Sequence, residues 1–198
     1  DEWIVRDQGA MVRQIGYSPK EFAQITIEKE GGFKEAKQVF NKSDLKPSNY
    51  HPIAVKANSA GEKYSKILNK IFTNEYDFKD YDRATNIYWP GNKLGHGRED
   101  VFKLWNSLKN ILSEIKFKIE HVGYLDEPNR NPRASIRWSL EGVHSEDSKD
   151  YGKKTSSNLT IIGINHAELN SYGVIKEWVL FDEVAIWKQI LMNRNKDV

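Results

Sequence analysis

The sequence predicts an α+β fold, with helices packed on one face of a strongly curved antiparallel sheet. Three observations carry this expectation. Tyr64, Ile67, Leu68, Ile71 and Phe72 recur at helical spacing. Glu99 to Ile115 sets Val101, Phe102, Leu104, Trp105, Leu108, Ile111, Leu112 and Ile115 along one stripe, which reads as a long amphipathic helix. A run of strand-period segments follows. In Arg133 to Leu140, Ala134, Ile136, Trp138 and Leu140 alternate with Arg133, Ser135, Arg137 and Ser139.

The other elements follow in order. Residues 1–5 read as the end of a strand and 7–15 as a short helix. Ser18-Pro19-Lys20-Glu21 is a capping box with Pro at the first helical position, so a helix is expected from about 19 to 30. Gly31-Gly32 stops it, and residues 33–40 are expected to add a helical turn or two. Asp44 to Pro52, with Pro47, Ser48 and Asn49, reads as a linker. Asn86 to Trp89 is a short strand broken by Pro90-Gly91, and Gly95-His96-Gly97 is expected to be a turn. Lys116 to Leu125, Leu159 to Leu169 and Val174 to Phe181 are the other strands, separated by the polar loops Asp126–Pro132 and Ser145–Ser157. A helix over about 183–192 closes the chain.

Composition narrows the function. The 198 residues are 38% hydrophobic and 29% charged, enough apolar mass for one core and incompatible with wholesale disorder. Aromatics reach 12%, which can line a core or a small-molecule pocket. The 30 basic and 28 acidic residues are intermixed, so no nucleic-acid partner is expected. The absence of Cys excludes disulfides, thiolate metal sites and a Cys nucleophile. It says little about compartment, and a cytoplasmic location is expected ahead of export. No apolar run approaches the roughly 18 residues that span a bilayer, so no membrane partner is expected.

The two ends of the chain repeat each other. Glu2 to Ile15 aligns without a gap on Glu177 to Ile190, matching Glu, Trp, Asp, Ala, Gln and Ile. The first stretch then reads as the tail of a preceding repeat. Residues 1–50 are expected to be that tail with linker helices, and residues 51–198 a complete domain, the C-terminal part of a tandem duplication.

Four stretches resemble a known family. They are Gly95-His96-Gly97-Arg98-Glu99-Asp100, leading into the long helix; Arg133 to His144; Thr160 to Asn165; and Glu177-Trp178 with Asp182 and Gln189. Together they resemble the SnoaL-like polyketide cyclases of the nuclear transport factor 2-like superfamily, over about residues 55–192. The resemblance implies a conical half-barrel, a sheet wrapped around helices with a pocket at its wide end. It also implies pairing of two such units, as a homodimer or as an intrachain pseudo-dimer of a tandem protein. Characterised cyclases of the family close rings by an intramolecular aldol reaction with no metal or cofactor, and none is expected here. Their catalytic acid lies near the start of the strand after the His. Here that region reads Ser156-Ser157-Asn158-Leu159-Thr160, with no acid.

Aldol chemistry needs a base, a donor for the developing enolate and dry walls. The catalytic candidates are His144, His166 and Asp182. His144 shares a face with Ile136, Trp138 and Leu140, and either acts in a pocket or bonds backbone at the strand end. His166 adjoins Asn165, so only one of the two faces inward. Asp182 precedes a helix, so it is either a reactive acid or an N-cap. Trp89, His121, Trp138, Asn165, Glu177 and Trp178 are the candidate pocket residues. Two functions fit. One is a cofactor-independent cyclase, isomerase or hydrolase acting on a small carbonyl compound. The other is a non-catalytic module that binds a small apolar ligand or pairs with another copy.

Overall fold

The computed structural model describes residues 5–40 and 54–194. The expected linker over 44–52, and all of the expected strand end at 1–5 except Val5, lie outside the described residues. Two short helices open the chain, α1 (Gln8–Gln14) and α2 (Pro19–Lys29). Then come α3 (Ala60–Thr73), β1 (Tyr81–Trp89), β2 (Lys93–His96), α4 (Gly97–Lys109), β3 (Leu112–Leu125), β4 (Arg133–His144), β5 (Asn158–Asn170), β6 (Gly173–Phe181) and α5 (Glu183–Arg194). The six strands form one curved, unclosed sheet in the order β2-β1-β6-β5-β4-β3. Every neighbouring pair is antiparallel except β1 and β6, which are parallel. The α+β expectation holds.

Local chemistry sets the helix ends. The Ser18 hydroxyl accepts from the Glu21 amide and the Glu21 carboxylate accepts from the Ser18 amide, as the capping box predicted. Ser59 caps α3 by accepting from the Glu62 amide, and Asn74 ends α3 in the left-handed region (φ 62°). Lys109, the last residue of α4, donates to the Ile71 carbonyl at 3.1 Å and to Asn74 Oδ1 at 2.7 Å. Its cation thus meets the negative end of the α3 dipole and clamps the two helices together.

Sheet and helices share one large core. Ala134, Ile136, Trp138 and Leu140 of β4 face inward and are buried, on the face the alternation marked. They meet Tyr64, Leu68 and Ile71 of α3 and Val101, Trp105 and Leu108 of α4. Helix α5 is buried on two sides. Ile186 and Ile190 join this core, while Val184 and Met192 join small clusters with Val12, Ala23 and Ile27 of α1 and α2. The buried Lys188 ammonium reaches both Glu30 oxygens, at 2.7 and 2.9 Å, and fixes α2 to α5. The Gln189 side chain bonds both the amide and the carbonyl of Thr160. Pairing of β5 with β6 starts only at Gly163, so this amide stands in for a missing strand neighbour.

Four expectations are corrected. Residues 33–35 form a single turn and residues 36–40 are irregular rather than helical, with the Glu30 carboxylate accepting from the Lys37 amide. Gly95-His96-Gly97 is not a turn. Lys93–His96 pairs with β1, and the chain reverses earlier, at Gly91 and Asn92, both at positive φ. Gly95 is needed there because a Cβ would lie 2.9 Å from Ile87 and Asp100 side-chain atoms, where α4 crosses the hairpin. The long helix ends at Lys109 rather than running to Ile115. Ile111, in the turn after the helix, and Leu112, the first residue of β3, continue its stripe because both are buried in the same core. Strand β1 begins at Tyr81, hidden in the sequence by exposed Arg83 and Ala84.

Gly163 lies directly under the Trp138 indole. A Cβ there would sit 2.1 Å from the ring, whereas at Gly123 the nearest atom is 3.8 Å away. Gly163→Ala is expected to cost about 1–3 kcal/mol in urea denaturation. Gly123→Ala is expected to stay within about 0.5 kcal/mol of the parent chain.

Candidate functional site

Strand β6 points Glu177 inward, between the buried Val174 and Val179. Its carboxylate is fully buried and ringed by donors from four elements. The Tyr64 hydroxyl of α3 donates to Oε1 in a short bond, and the Asn165 amide of β5 donates to the same oxygen at 3.2 Å. The Tyr81 hydroxyl of β1 and the Trp105 indole of α4 donate to Oε2 at 3.1 and 3.3 Å. Asn165 is held in turn by the Trp138 indole, which donates to Oδ1 at 2.7 Å. Around this centre Trp105 packs edge-on against Trp89 at 5.0 Å, and Trp89 against Phe181 at 5.3 Å.

Two effects compete at Glu177. Burial disfavours the charged form, and the four hydrogen bonds favour it. Burial wins, raising the carboxyl pKa to about 7. A carboxylate has about four lone-pair sites, and all four are taken. This group is therefore built as an anchor of the interior. The same interior raises the Tyr64 and Tyr81 hydroxyls well above their ordinary range, by burial and by the adjacent Glu177 charge.

The other candidates lie apart from it. His144 ends β4 on the inward face and is buried. Its Nδ1 is 3.1 Å from Thr155 Oγ1, its Nε2 has no hydrogen-bond partner among the described residues, and burial lowers its pKa. Its backbone pairs with Ser156 and Ser157. Ile136 stands opposite Asn165, and His144 lies eight residues further along β4, roughly 26 Å at the usual rise per residue. The nearby Asp147 is tied to Lys153 and to the Lys154 amide. His166 and Trp178 sit opposite each other on the outer face of the sheet, where Trp178 stacks on Tyr88 at 5.5 Å. They border an open groove of about 540 Å³ with Arg133, Ile164 and Leu180. His121 of β3 is partly buried opposite Arg137.

Asp182 does two things. Its carboxylate accepts from the Val184 amide at 2.9 Å at the start of α5. It also lines a cavity of about 310 Å³ between residues 5–8, residues 39–40 and the junction of β5 with α5. The walls are mostly apolar, with Val5, Val39, Phe40, Ile162 and Ile186. Burial raises the Asp182 carboxyl to about 6, and the negative charges of Asp7 and Glu183 push the same way. Asp7, its counterpart in the repeat, caps α1 through the Ala10 amide and also accepts from the Gly91 amide.

In the sequence Asn165, Trp138, Trp89 and Glu177 stand out as pocket candidates, Tyr64 and Trp105 stand out only as members of helical stripes, and Tyr81 does not stand out at all. The available signal was the polar tip on each: a buried Tyr or Trp needs a partner. The cavity beside Asp182 had no such signal, because its walls come from distant segments.

The raised pKa of Glu177 has a testable sign. Its folded value lies above its unfolded one, so its contribution is fully present below the unfolded value and is lost as pH rises through the folded one. The stability of the native chain relative to Glu177→Gln is expected to fall between about pH 5 and pH 7. Parallel stability-against-pH profiles for the two proteins would contradict this.

No protein-family model and no curated protein matches the chain. Solved structures do. A Xanthomonas campestris pv. campestris protein, provisionally assigned as a polyketide cyclase, superposes with a TM-score of 0.53 at 6% identity, over 67% of this chain and 99% of its own. A Silicibacter protein with the same provisional assignment gives a TM-score of 0.54 at 9% identity, over 66% and 96%. A Jannaschia protein provisionally assigned as a SnoaL-like polyketide cyclase gives 0.53 at 11%, over 69% and 97%. At these identities the likeness speaks to architecture alone. The chain has the α+β fold that these solved structures share.

Proposed function

We propose that this domain binds a small, largely apolar molecule in the cavity beside Asp182, and that the interior around Glu177 is structural. The observation that carries this reading is the contrast between the two places. All four acceptor sites of the Glu177 carboxylate are occupied by protein donors. The cavity instead combines mostly apolar walls with a few polar side chains, Arg6, Gln8 and the partly buried carboxyl group of Asp182. The fold is compatible with several chemistries, since a structure of similar shape from Streptomyces galilaeus is provisionally assigned as a hydroxylase.

A second reading is acid/base turnover of a small carbonyl compound. One observation favours it: a carboxyl group with a pKa near 6 in an apolar cavity suits proton transfer near neutral pH. The two readings separate in D2O with cyclohexanone as probe. Under the binding reading its α-protons exchange no faster with the protein than with buffer. Exchange that the native chain accelerates and Asp182→Asn does not would replace that reading with the catalytic one. His144→Ala is expected to leave either outcome unchanged, because His144 is not among the residues that line the cavity.

Pairing of two copies, or of this domain with a preceding repeat, is proposed for the outer sheet face. Support comes from the exposed Tyr88–Trp178 stack and from the repeat, in which Asp7 and Asp182 both cap helices. Light scattering tests it. Trp178→Glu is expected to shift a dimer to monomer, and a native chain that is monomeric at high concentration would refute the homodimer.

A further inference from the structure

Helix α5 is packed on two opposite sides, and α1 on one. Ile186, Gln189 and Ile190 are three and four residues apart, so they share the side of α5 that meets the sheet. Ile186 and Ile190 are buried in the main core, and the Gln189 amide completes the backbone of Thr160. Val184 and Trp187 take the other side, in the cluster with Val12 and Ala23. The gap-free repeat carries these positions onto α1. Gly9 and Val12 stand for Val184 and Trp187, and Met11, Gln14 and Ile15 stand for Ile186, Gln189 and Ile190. On the first side the two helices agree. Gly9 and Val12 are buried, Val12 shares a cluster with Val184, and an Asp caps each helix. The second side of α1 is bare. Met11 is 62% and Ile15 66% exposed, against 1% and 2% for Ile186 and Ile190. Two large apolar side chains and an amide thus stand on α1 in the arrangement that α5 buries. The matching solved structures are covered almost whole by about two thirds of this chain, so one complete unit of the fold leaves about a third of the residues over.

We propose that the bare side of α1 is the docking surface for a preceding unit of the same fold within one polypeptide. Met11 and Ile15 enter the core of that unit as Ile186 and Ile190 enter this one. Gln14 bonds backbone at the edge of its sheet as Gln189 bonds Thr160. Helix α1 then stands to the preceding unit as α5 stands to this one. The two helices meet through Val12 and Val184 and through the Arg13–Glu183 pair. A second copy of this chain does not offer the surface, because its own α5 already fills it. Burial of the two apolar side chains rewards the contact. The contact uses neither the cavity beside Asp182 nor the outer sheet face.

The test reads side-chain burial directly. The chain has two methionines, Met11 and Met192, and Met192 is buried. Peroxide converts exposed methionine to the sulfoxide, and peptide mass mapping follows each residue separately. In this chain Met11 is expected to oxidise about tenfold or more faster than Met192. In the protein expressed from its entire reading frame, Met11 is expected to slow to the rate of Met192. A second measurement uses the double variant Met11→Glu, Ile15→Glu. It is expected to leave the melting temperature of this chain nearly unchanged and to lower that of the full-frame protein by several degrees. Met11 that reacts slowly in this chain, or stays fast in the full-frame protein, overturns the proposal. So does a double variant that melts with its parent in both proteins or falls equally in both. A reading frame with no further unit of this fold before Asp1 overturns it outright.

Discussion

The Glu177 carboxylate holds the interior together. Tyr64, Tyr81, Trp105 and Asn165 bring α3, β1, α4 and β5 to one pair of oxygens, and Asn165 passes the contact on to Trp138 of β4. Each donor is itself buried, so each needs that acceptor as much as the acceptor needs it. Such a network fixes where every element sits along its neighbours, because a strand moved by one residue would leave several buried polar atoms without partners. Apolar packing alone tolerates more slippage. Burial of the Glu177 carboxyl raises its pKa, so holding it charged is costly near neutral pH.

A second constraint is the unfinished edge of β5. Strand β6 pairs with it only from Gly163 onward, and the exposed backbone at Thr160 is completed by Gln189 of α5. That pins α5 beside the sheet, where its other side can receive α1 and α2. The Lys188–Glu30 pair and the Val12, Ala23 and Val184 cluster then attach the N-terminal helices. The cavity beside Asp182 is a consequence of this docking. Residues 5–8 and 39–40 supply one wall, and the junction of β5 with α5 supplies the other.

Interior and cavity divide the polar chemistry between them. Around Glu177 the buried donors and acceptors are matched, which suits a rigid scaffold. Asp182, partly buried, instead accepts from the Val184 amide at the start of α5, beside a cavity that Arg6 also lines. His144 belongs to neither place. It sits at the far end of β4, with Thr155 at one ring nitrogen and Ser156 and Ser157 at its backbone.

Much of this was legible in the sequence. Period-two alternation placed Ala134, Ile136, Trp138 and Leu140 on the inner face, and the Ser18–Glu21 box placed the start of α2, because both depend on neighbours close in the chain. The inward position of Asn165 and the outward one of His166 were open as a pair, and strand pleat required that they differ. The sequence did not separate the end of α4 from the start of β3, since Leu108, Ile111 and Leu112 face one core from two elements. Nor did it show that Glu177 would meet Tyr64, Tyr81 and Trp105, which are 72 to 113 residues away in the chain. Local periodicity fixes which face a residue takes. Only the tertiary structure decides which distant polar groups meet there, and it is their meeting that satisfies the Glu177 carboxylate within the fold.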